Sequence, residues 1–148
     1  MLKRVLVPLD GSTLAETALP YVKQIIKETG LIILMMAIDQ TSRDDPSFNR
    51  YMLLSDQQEN AWRIHAEDYL AQIATQFASS KLKVETIVVQ GSPADGIVDI
   101  AKSSSIDAIV MSTHGRTGLS RLLLGNVTQK VLNAAPCPVL VIPNGSND

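Results

Sequence analysis

The sequence predicts an α/β fold: a single doubly wound, five-stranded parallel sheet of strand order 3-2-1-4-5, with helices on both faces. Three observations predict it. Apolar runs alternate with amphipathic stretches along the 148-residue chain, and a last apolar run closes it. The runs are continuous rather than alternating, as in strands buried on both faces. Polar, glycine-containing segments follow the first and fourth runs, and this strand order places both segments in one crevice.

Composition favours one domain spanning residues 1–148. Hydrophobic residues make up 45% of the chain, and with 2 Phe and 1 Trp the core must be aliphatic. A net charge of −2 gives no reason to expect nucleic acid or an anionic membrane as a partner. No apolar run reaches the roughly 18 residues of a spanning helix. The single cysteine, Cys137, suits a reducing compartment. We therefore expect a cytoplasmic protein.

The apolar runs and amphipathic stretches place the elements in order. The predicted strands cover residues 2–9, 31–38, 83–89, 106–111 and 139–142. The predicted helices cover residues 13–30, 56–79, 93–103 and 126–135. Each helix follows one strand, which is the pattern of repeated right-handed crossovers.

Local signals define the first helix. Thr13 and Glu16 fit a capping box, which predicts the start of the helix. Pro20 lies inside the helical pattern, where it predicts a kink because it cannot donate a backbone hydrogen bond. Gly30 predicts the end of the helix as its C′ residue.

The segment from Ile106 to Ile142 carries the most information about function. A buried strand leads into Ser112-Thr113-His114-Gly115, and a later helix begins at Gly125-Asn126-Val127-Thr128. Asn126 is the predicted N-cap, with Gln129 completing a capping-box-like pair. Two loops can then meet at the carboxyl end of one strand, and both offer backbone N–H groups. This arrangement predicts a phosphate-binding cradle.

Common catalytic and cofactor motifs are absent from the sequence. It contains no G-x-x-x-x-G-K-[ST] loop, no G-x-G-x-x-G after the first strand and no G-x-S-x-G elbow. The two histidines, His65 and His114, have no spacing that suggests a zinc site. No carboxylate pair, nucleophile–base pair or metal cluster converges on the predicted crevice. The pattern favours a binding protein over an enzyme.

The glycine spacing resembles the nucleotide-loop signature of the universal stress protein family, in its ATP-binding subgroup. That signature is a glycine, two residues, a glycine, nine residues, a glycine and then Ser or Thr. Gly115 and Gly125 are the middle and last glycines here, whereas Ser112 replaces the first and Asn126 the final Ser or Thr. The segments VLVPLDGS and APCPVLVIP resemble the family as well. The resemblance covers the whole chain, least clearly from residue 40 to residue 55.

The resemblance implies that ATP, with Mg²⁺ held by its phosphates, binds at the carboxyl ends of strands 1 and 4. On the nucleoside side it implies Pro8, Leu9 and Asp10, the Ala37 backbone at the adenine edge, and Met111 and Ser112 at the ribose. The Asp10 carboxylate is expected near the ribose hydroxyls. On the phosphate side it implies Gly115, Arg116, Gly125, Asn126, Val127 and Thr128.

Several of these residues have a purely structural interpretation. Asp10-Gly11 could be an ordinary turn, and Met111 could belong to the core. Gly115 and Gly118 could serve loop geometry alone. The arginines, Arg116 and Arg121, could be solvated surface charges.

The resemblance implies a cytoplasmic regulatory module of the stress response that binds adenine nucleotide. The alternatives are a slow ATP hydrolase and a dimeric scaffold without nucleotide. The last strand, Val139–Ile142, is apolar and uncharged, and the predicted order leaves it at a sheet edge. Bare edges of this kind pair readily with another chain. Both this edge and the resemblance predict a homodimer in which two last strands pair antiparallel.

Overall fold

The computed structural model describes residues 1–38, 56–79, 81–113 and 124–143. Its strands are β1 (Leu2–Leu9), β2 (Ile26–Ile38), β3 (Lys83–Gln90), β4 (Ala108–Ser112) and β5 (Val139–Ile142). Its α-helices are α1 (Leu19–Ile25), α2 (Asp56–Ala74), α3 (Pro93–Ser103) and α4 (Asn126–Ala134). Short 3-10 turns precede α1 at Ala15–Ala18 and follow α2 at Thr75–Phe77.

The strands form one parallel sheet in the order β3-β2-β1-β4-β5, which confirms the predicted fold class. The chain winds outward in one direction from β1 to β3, and then in the other through β4 to β5. The strand order therefore reverses between β1 and β4. Crevices form at such reversals because the connections on the two sides leave in opposite directions.

Each face of the sheet carries its own core. On one face α1 and α2 pack against side chains that include Val7, Leu34 and Val110. On the other face α3 and α4 pack against Leu6, Ile33 and neighbouring side chains. Adjacent residues such as Leu6 and Val7 serve opposite faces, as the pleat of a strand requires. Because both faces are covered, β1, β2 and β4 are apolar at successive positions.

The first helical region differs from its prediction. Instead of one kinked helix over residues 13–30, a 3-10 turn ends at Ala18, and α1 runs from Leu19 to Ile25 with Pro20 in its first turn. Proline is tolerated there, since a first-turn N–H has no partner within the helix. The predicted Thr13–Glu16 capping box was wrong, because Leu14 and not Thr13 is the N-cap of the 3-10 turn.

Gly30 has a different role from the predicted helix terminus. It is buried within β2, where the pairing with β1 shifts between Leu2↔Ile26 and Arg4↔Leu31. A Cβ at Gly30 would lie 2.8 Å from the Lys3 carbonyl oxygen and 2.9 Å from that of Lys27. The glycine is therefore needed for close backbone approach and not for a left-handed cap.

The start of α4 differs from its prediction in one respect. Gly125 is the N-cap and Asn126 is the first helical residue, without a side-chain cap hydrogen bond. Val131 is buried, whereas Leu132 points outward and is 42% exposed. Cys137 is half-buried against the α3–α4 core, where it acts as a small packing residue.

Candidate functional site

The carboxyl ends of β1 and β4 lie side by side. Val5 pairs with Ala108 and Leu6 with Ile109, so continuing in step brings Leu9 to the level of Ser112. The segments that follow these two residues therefore leave the sheet next to each other. The 3-10 turn Ala15–Ala18 packs over β4, which keeps the segment after β1 at this position. This edge of the sheet is the candidate site.

The segment after β1 is a turn organised by Asp10. Its Oδ1 atom accepts hydrogen bonds from the backbone N–H of Ser12 at 2.9 Å and from the Ser12 hydroxyl at 2.5 Å. Gly11 has a φ of 86°, a conformation that glycine adopts without steric cost. The Asp10 side chain is half-buried beside the end of the sheet. The local contacts thus agree with an ordinary turn, and they also hold a carboxylate at the crevice.

The segment after β4 is tied to the start of α4. The N–H of Gly125 donates to the Thr113 carbonyl oxygen at 2.9 Å. The hydroxyl of Thr128, which is 3% exposed, lies 3.2 Å from the Ser112 carbonyl oxygen and 3.1 Å from that of Thr113. Because this buried hydroxyl bridges the end of β4 and the first turn of α4, it fixes the helix start against the sheet. From the sequence we predicted a role for the backbone N–H of Thr128 and not this role of its hydroxyl.

The first turn of α4 has donors to offer a ligand. The first N–H groups of a helix have no partner within it. Among the described residues, no hydrogen bond reaches the backbone N–H groups of Asn126, Val127 or Thr128. The helix dipole adds a partial positive charge at the same place. The arrangement suits an anion such as a phosphate group.

The other predicted nucleoside-side residues lie along the same edge. Pro8 is half-buried and Leu9 is buried at the end of β1. Ala37 is half-buried near the end of β2, opposite Val89 of β3. Met111 is 5% exposed and packs in the α3–α4 core, which agrees with its alternative interpretation as a core residue. Gly115 and Arg116, together with Gly118 and Arg121, lie outside the described residues.

A tyrosine on α2 contacts the candidate site from one face of the sheet. The Tyr69 hydroxyl donates to Glu16 Oε2 at 3.0 Å. Burial, this hydrogen bond and the charges of Glu16 and Asp10 raise the pKa of Tyr69 far above its usual value. The phenol is therefore neutral, and it links α2 to the 3-10 turn that follows the Asp10 segment.

No group of three or more His, Cys, Asp and Glu side chains within the described residues could hold a metal ion. None of their helices is long and apolar enough to cross a membrane.

Comparison with known proteins identifies the family. Residues 1–143 match the model of the universal stress protein family. The chain belongs to this family. Two relatives from Methanocaldococcus jannaschii are each 30% identical to it: universal stress protein MJ0531, over 95% of this chain and 81% of the relative, and universal stress protein MJ0577, over 96% and 95%.

Solved structures agree with this assignment. The structure of MJ0577 aligns with a TM-score of 0.82 and 32% identity, covering 100% of this chain and 99% of that one. A universal stress protein in complex with cAMP has a TM-score of 0.66 and 20% identity, with 97% and 98% covered. An Arabidopsis thaliana family member with AMP bound has a TM-score of 0.67 and 18% identity, with 98% and 94% covered. At 20% and 18% identity, the similarity to the cAMP complex and to the AMP complex concerns the fold alone.

Proposed function

We propose that this universal stress protein binds ATP in the crevice at the carboxyl ends of β1 and β4 and acts as a small cytoplasmic regulatory module. One observation carries the proposal: the Thr128 hydroxyl and the Gly125 N–H bind the carbonyls at the end of β4 and hold the first turn of α4 beside that strand. A phosphate there would meet the N–H groups of Asn126, Val127 and Thr128. Asp10, at the neighbouring strand end, would meet the ribose.

Two further facts support an adenine nucleotide as the ligand. Members of the family with the same fold have been solved with AMP and with cAMP bound. Asp10 is a hydrogen-bond acceptor half-buried at a strand end, which suits hydroxyl groups of a sugar. Mg²⁺ would accompany ATP, held by its phosphates. Pro8, Leu9, Ala37, Met111 and Ser112 would enclose the nucleoside.

Calorimetric titration tests the proposal. Wild-type protein is titrated with ATP, AMP and cAMP in the presence and absence of Mg²⁺. Saturable binding of ATP supports the proposal, and the absence of binding favours the nucleotide-free scaffold. Product analysis after prolonged incubation with ATP separates a slow hydrolase from a binding module.

A pair of variants locates the site. Thr128→Val removes the buried hydroxyl at constant shape and should weaken ATP binding at least tenfold, about 1.4 kcal/mol, because the first turn of α4 is no longer fixed. Thr75→Val is the matched control, because the Thr75 hydroxyl donates to the carbonyl oxygen of Gln72, three residues earlier, at 2.6 Å. Equal ATP affinity in both variants would argue against the cradle.

We also propose that the protein forms a homodimer through β5. This edge strand is short, and Leu140 in it is 40% exposed. Leu132 on α4 exposes a second apolar side chain. Light scattering of the wild type at micromolar concentration should give a dimer, and Val141→Lys should give a monomer or a poorly soluble chain. A monomeric wild type would contradict the proposal.

A further inference from the structure

The Asp10 turn contains a hydroxyl with two partners. Ser12 Oγ donates to Asp10 Oδ1 at 2.5 Å, and it accepts a hydrogen bond from the Ala15 N–H at 3.1 Å. The Ser12 N–H also donates to Asp10 Oδ1, at 2.9 Å. Because the Ala15 N–H occupies a lone pair of the hydroxyl oxygen, the hydroxyl proton is directed at the carboxylate. Backbone N–H, hydroxyl and carboxylate form one continuous chain of hydrogen bonds.

This series of hydrogen bonds restricts the rotation of the Asp10 side chain. A carboxylate on an exposed turn normally rotates about its side-chain bonds, and a ligand that uses it must bear the cost of fixing it. Here two donors from Ser12 hold the same oxygen, Oδ1, and the Ala15 N–H at the start of the 3-10 turn holds the hydroxyl. Hydrogen bonds in such chains also polarise one another. The orientation of the carboxylate is therefore set before a ligand arrives.

We propose that Ser12 is a positioning residue for nucleotide binding, holding the Asp10 carboxylate in the orientation that recognises the ribose hydroxyls. This inference rests on the proposed function, because it requires Asp10 to meet the ribose. It assigns to Ser12 an effect on discrimination between sugars, whereas a turn residue with a purely structural role would affect folding alone.

The chain offers a matched control in the same segment. The Thr17 hydroxyl donates to the Leu14 carbonyl oxygen at 2.6 Å, so its hydrogen bond ends on backbone and not on the carboxylate. Thr17→Val removes that hydroxyl at constant shape. Both Ser12→Ala and Thr17→Val therefore delete one local hydroxyl from the segment between β1 and α1, but only the first acts on Asp10.

The experiment compares the affinities of ATP and 2′,3′-dideoxy-ATP, which lacks both ribose hydroxyls, by calorimetry. We expect wild type to prefer ATP by about tenfold or more, as for hydrogen bonds to a charged group. Asp10→Ala should lose this preference, and Ser12→Ala, which keeps the Ser12 N–H donor, should reduce it by about three- to fivefold. Thr17→Val should retain the wild-type preference, and Ser12→Thr should restore it.

The possible outcomes distinguish failure of the positioning role of Ser12 from failure of the proposed nucleotide binding. A wild-type preference in Ser12→Ala, with none in Asp10→Ala, overturns the positioning role and leaves the proposed function intact. A preference retained in Asp10→Ala overturns the ribose contact and the inference together. Wild-type protein that does not bind ATP overturns the proposed function and the inference with it.

A nucleotide-free measurement covers the case in which Ser12→Ala does not fold. Amide hydrogen exchange is measured in wild type and in Asp10→Ala. Removing the carboxylate should speed exchange at Ser12, which loses its acceptor, and at Ala15, whose own acceptor is no longer held. Unchanged exchange at Ala15 would overturn the hydrogen-bond chain and the inference.

Discussion

The two ends of the central strands use their polar groups in opposite ways. At the amino end, Asp107 Oδ2 accepts hydrogen bonds from the backbone N–H groups of Lys3 and Arg4, each at 2.9 Å. The backbone N–H of Asp107 donates to the Arg4 carbonyl oxygen. Arg4 Nε then donates to the Ser104 carbonyl oxygen at 2.8 Å. At the carboxyl end, the first turn of α4 presents N–H groups for which the described residues supply no partner.

The difference separates stability from binding. A backbone donor that is satisfied within the protein stabilises the fold and has nothing left for a ligand. A donor fixed in place by its surroundings but left for a ligand costs no reorganisation on binding. Changes at the amino end should therefore affect the free energy of unfolding, whereas changes at the carboxyl end should affect nucleotide affinity.

The largest effect is expected at the amino end, from Gly30→Ala. The added Cβ would lie under 3.0 Å from two backbone carbonyl oxygens, which cannot move without shifting β1 against β2. We expect a loss of about 2–3 kcal/mol in the free energy of unfolding, measured by urea denaturation.

The control for that prediction is Gly96→Ala in α3. Its Cβ would meet a side-chain atom, Val89 Cγ2, at 3.0 Å, and alanine favours the helix. A much smaller change is expected. Equal losses in the two variants would contradict a backbone clash at Gly30.

The second effect is expected at the carboxyl end, from Gly115→Val. The family resemblance implies that Gly115 approaches the phosphates, and on that proposal a branched side chain would keep the backbone away from them. ATP affinity should fall at least tenfold, about 1.4 kcal/mol, with the midpoint of thermal unfolding nearly unchanged. Normal ATP binding by this variant would remove the loop from the phosphate site.

The third effect is expected from Asp107→Ala at the amino end. Two N–H groups lose a charged acceptor, but they are exposed and water replaces it in part. We expect the free energy of unfolding to fall by about 1–2 kcal/mol, with ATP affinity unchanged. Asp107→Asn keeps an acceptor oxygen and should lose less. Weaker ATP binding in Asp107→Ala would mean that the two ends are coupled.

The smallest effect is expected from Ser105→Gly, after α3 at the amino end. Ser105 has a φ of 51°, a left-handed conformation that disfavours a side chain. Relief of this strain exceeds the entropy that glycine adds to the unfolded chain, so stability should rise by about 0.5 kcal/mol. Ser103→Gly, within α3, should lower stability instead. A loss of stability in Ser105→Gly would contradict the strain.

The sequence predicted the fold because each strand and helix is recorded locally. Continuous apolar runs such as residues 31–35 of β2 arise only where both faces of a sheet are covered. The strand order followed from the two polar segments that had to share a crevice. The same patterns located Asp10 and the start of α4 at that crevice.

Local signals were less reliable at the ends of the helices. Thr13 and Glu16 fit a capping box, but the N-cap of the first helical turn is Leu14. Asn126 is a favoured N-cap residue, but the N-cap of α4 is Gly125 and Asn126 is its first helical residue. Glycine is the residue type that most often ends a helix, but Gly30 lies where β1 and β2 come too close for a side chain. Residue type alone does not distinguish these roles, since several backbone geometries favour the same residues.

The sequence by itself determined the class of fold, the order of the strands and the family to which the chain belongs. Only the tertiary structure decided which polar groups meet: Thr128 with the carbonyls at the end of β4, Asp107 with the start of β1, and Tyr69 with Glu16. The physical reason is the sequence separation over which each feature is determined. Burial patterns repeat along the chain with the period of each element, whereas a hydrogen bond between distant segments depends on distances that exist only after the sheet has formed.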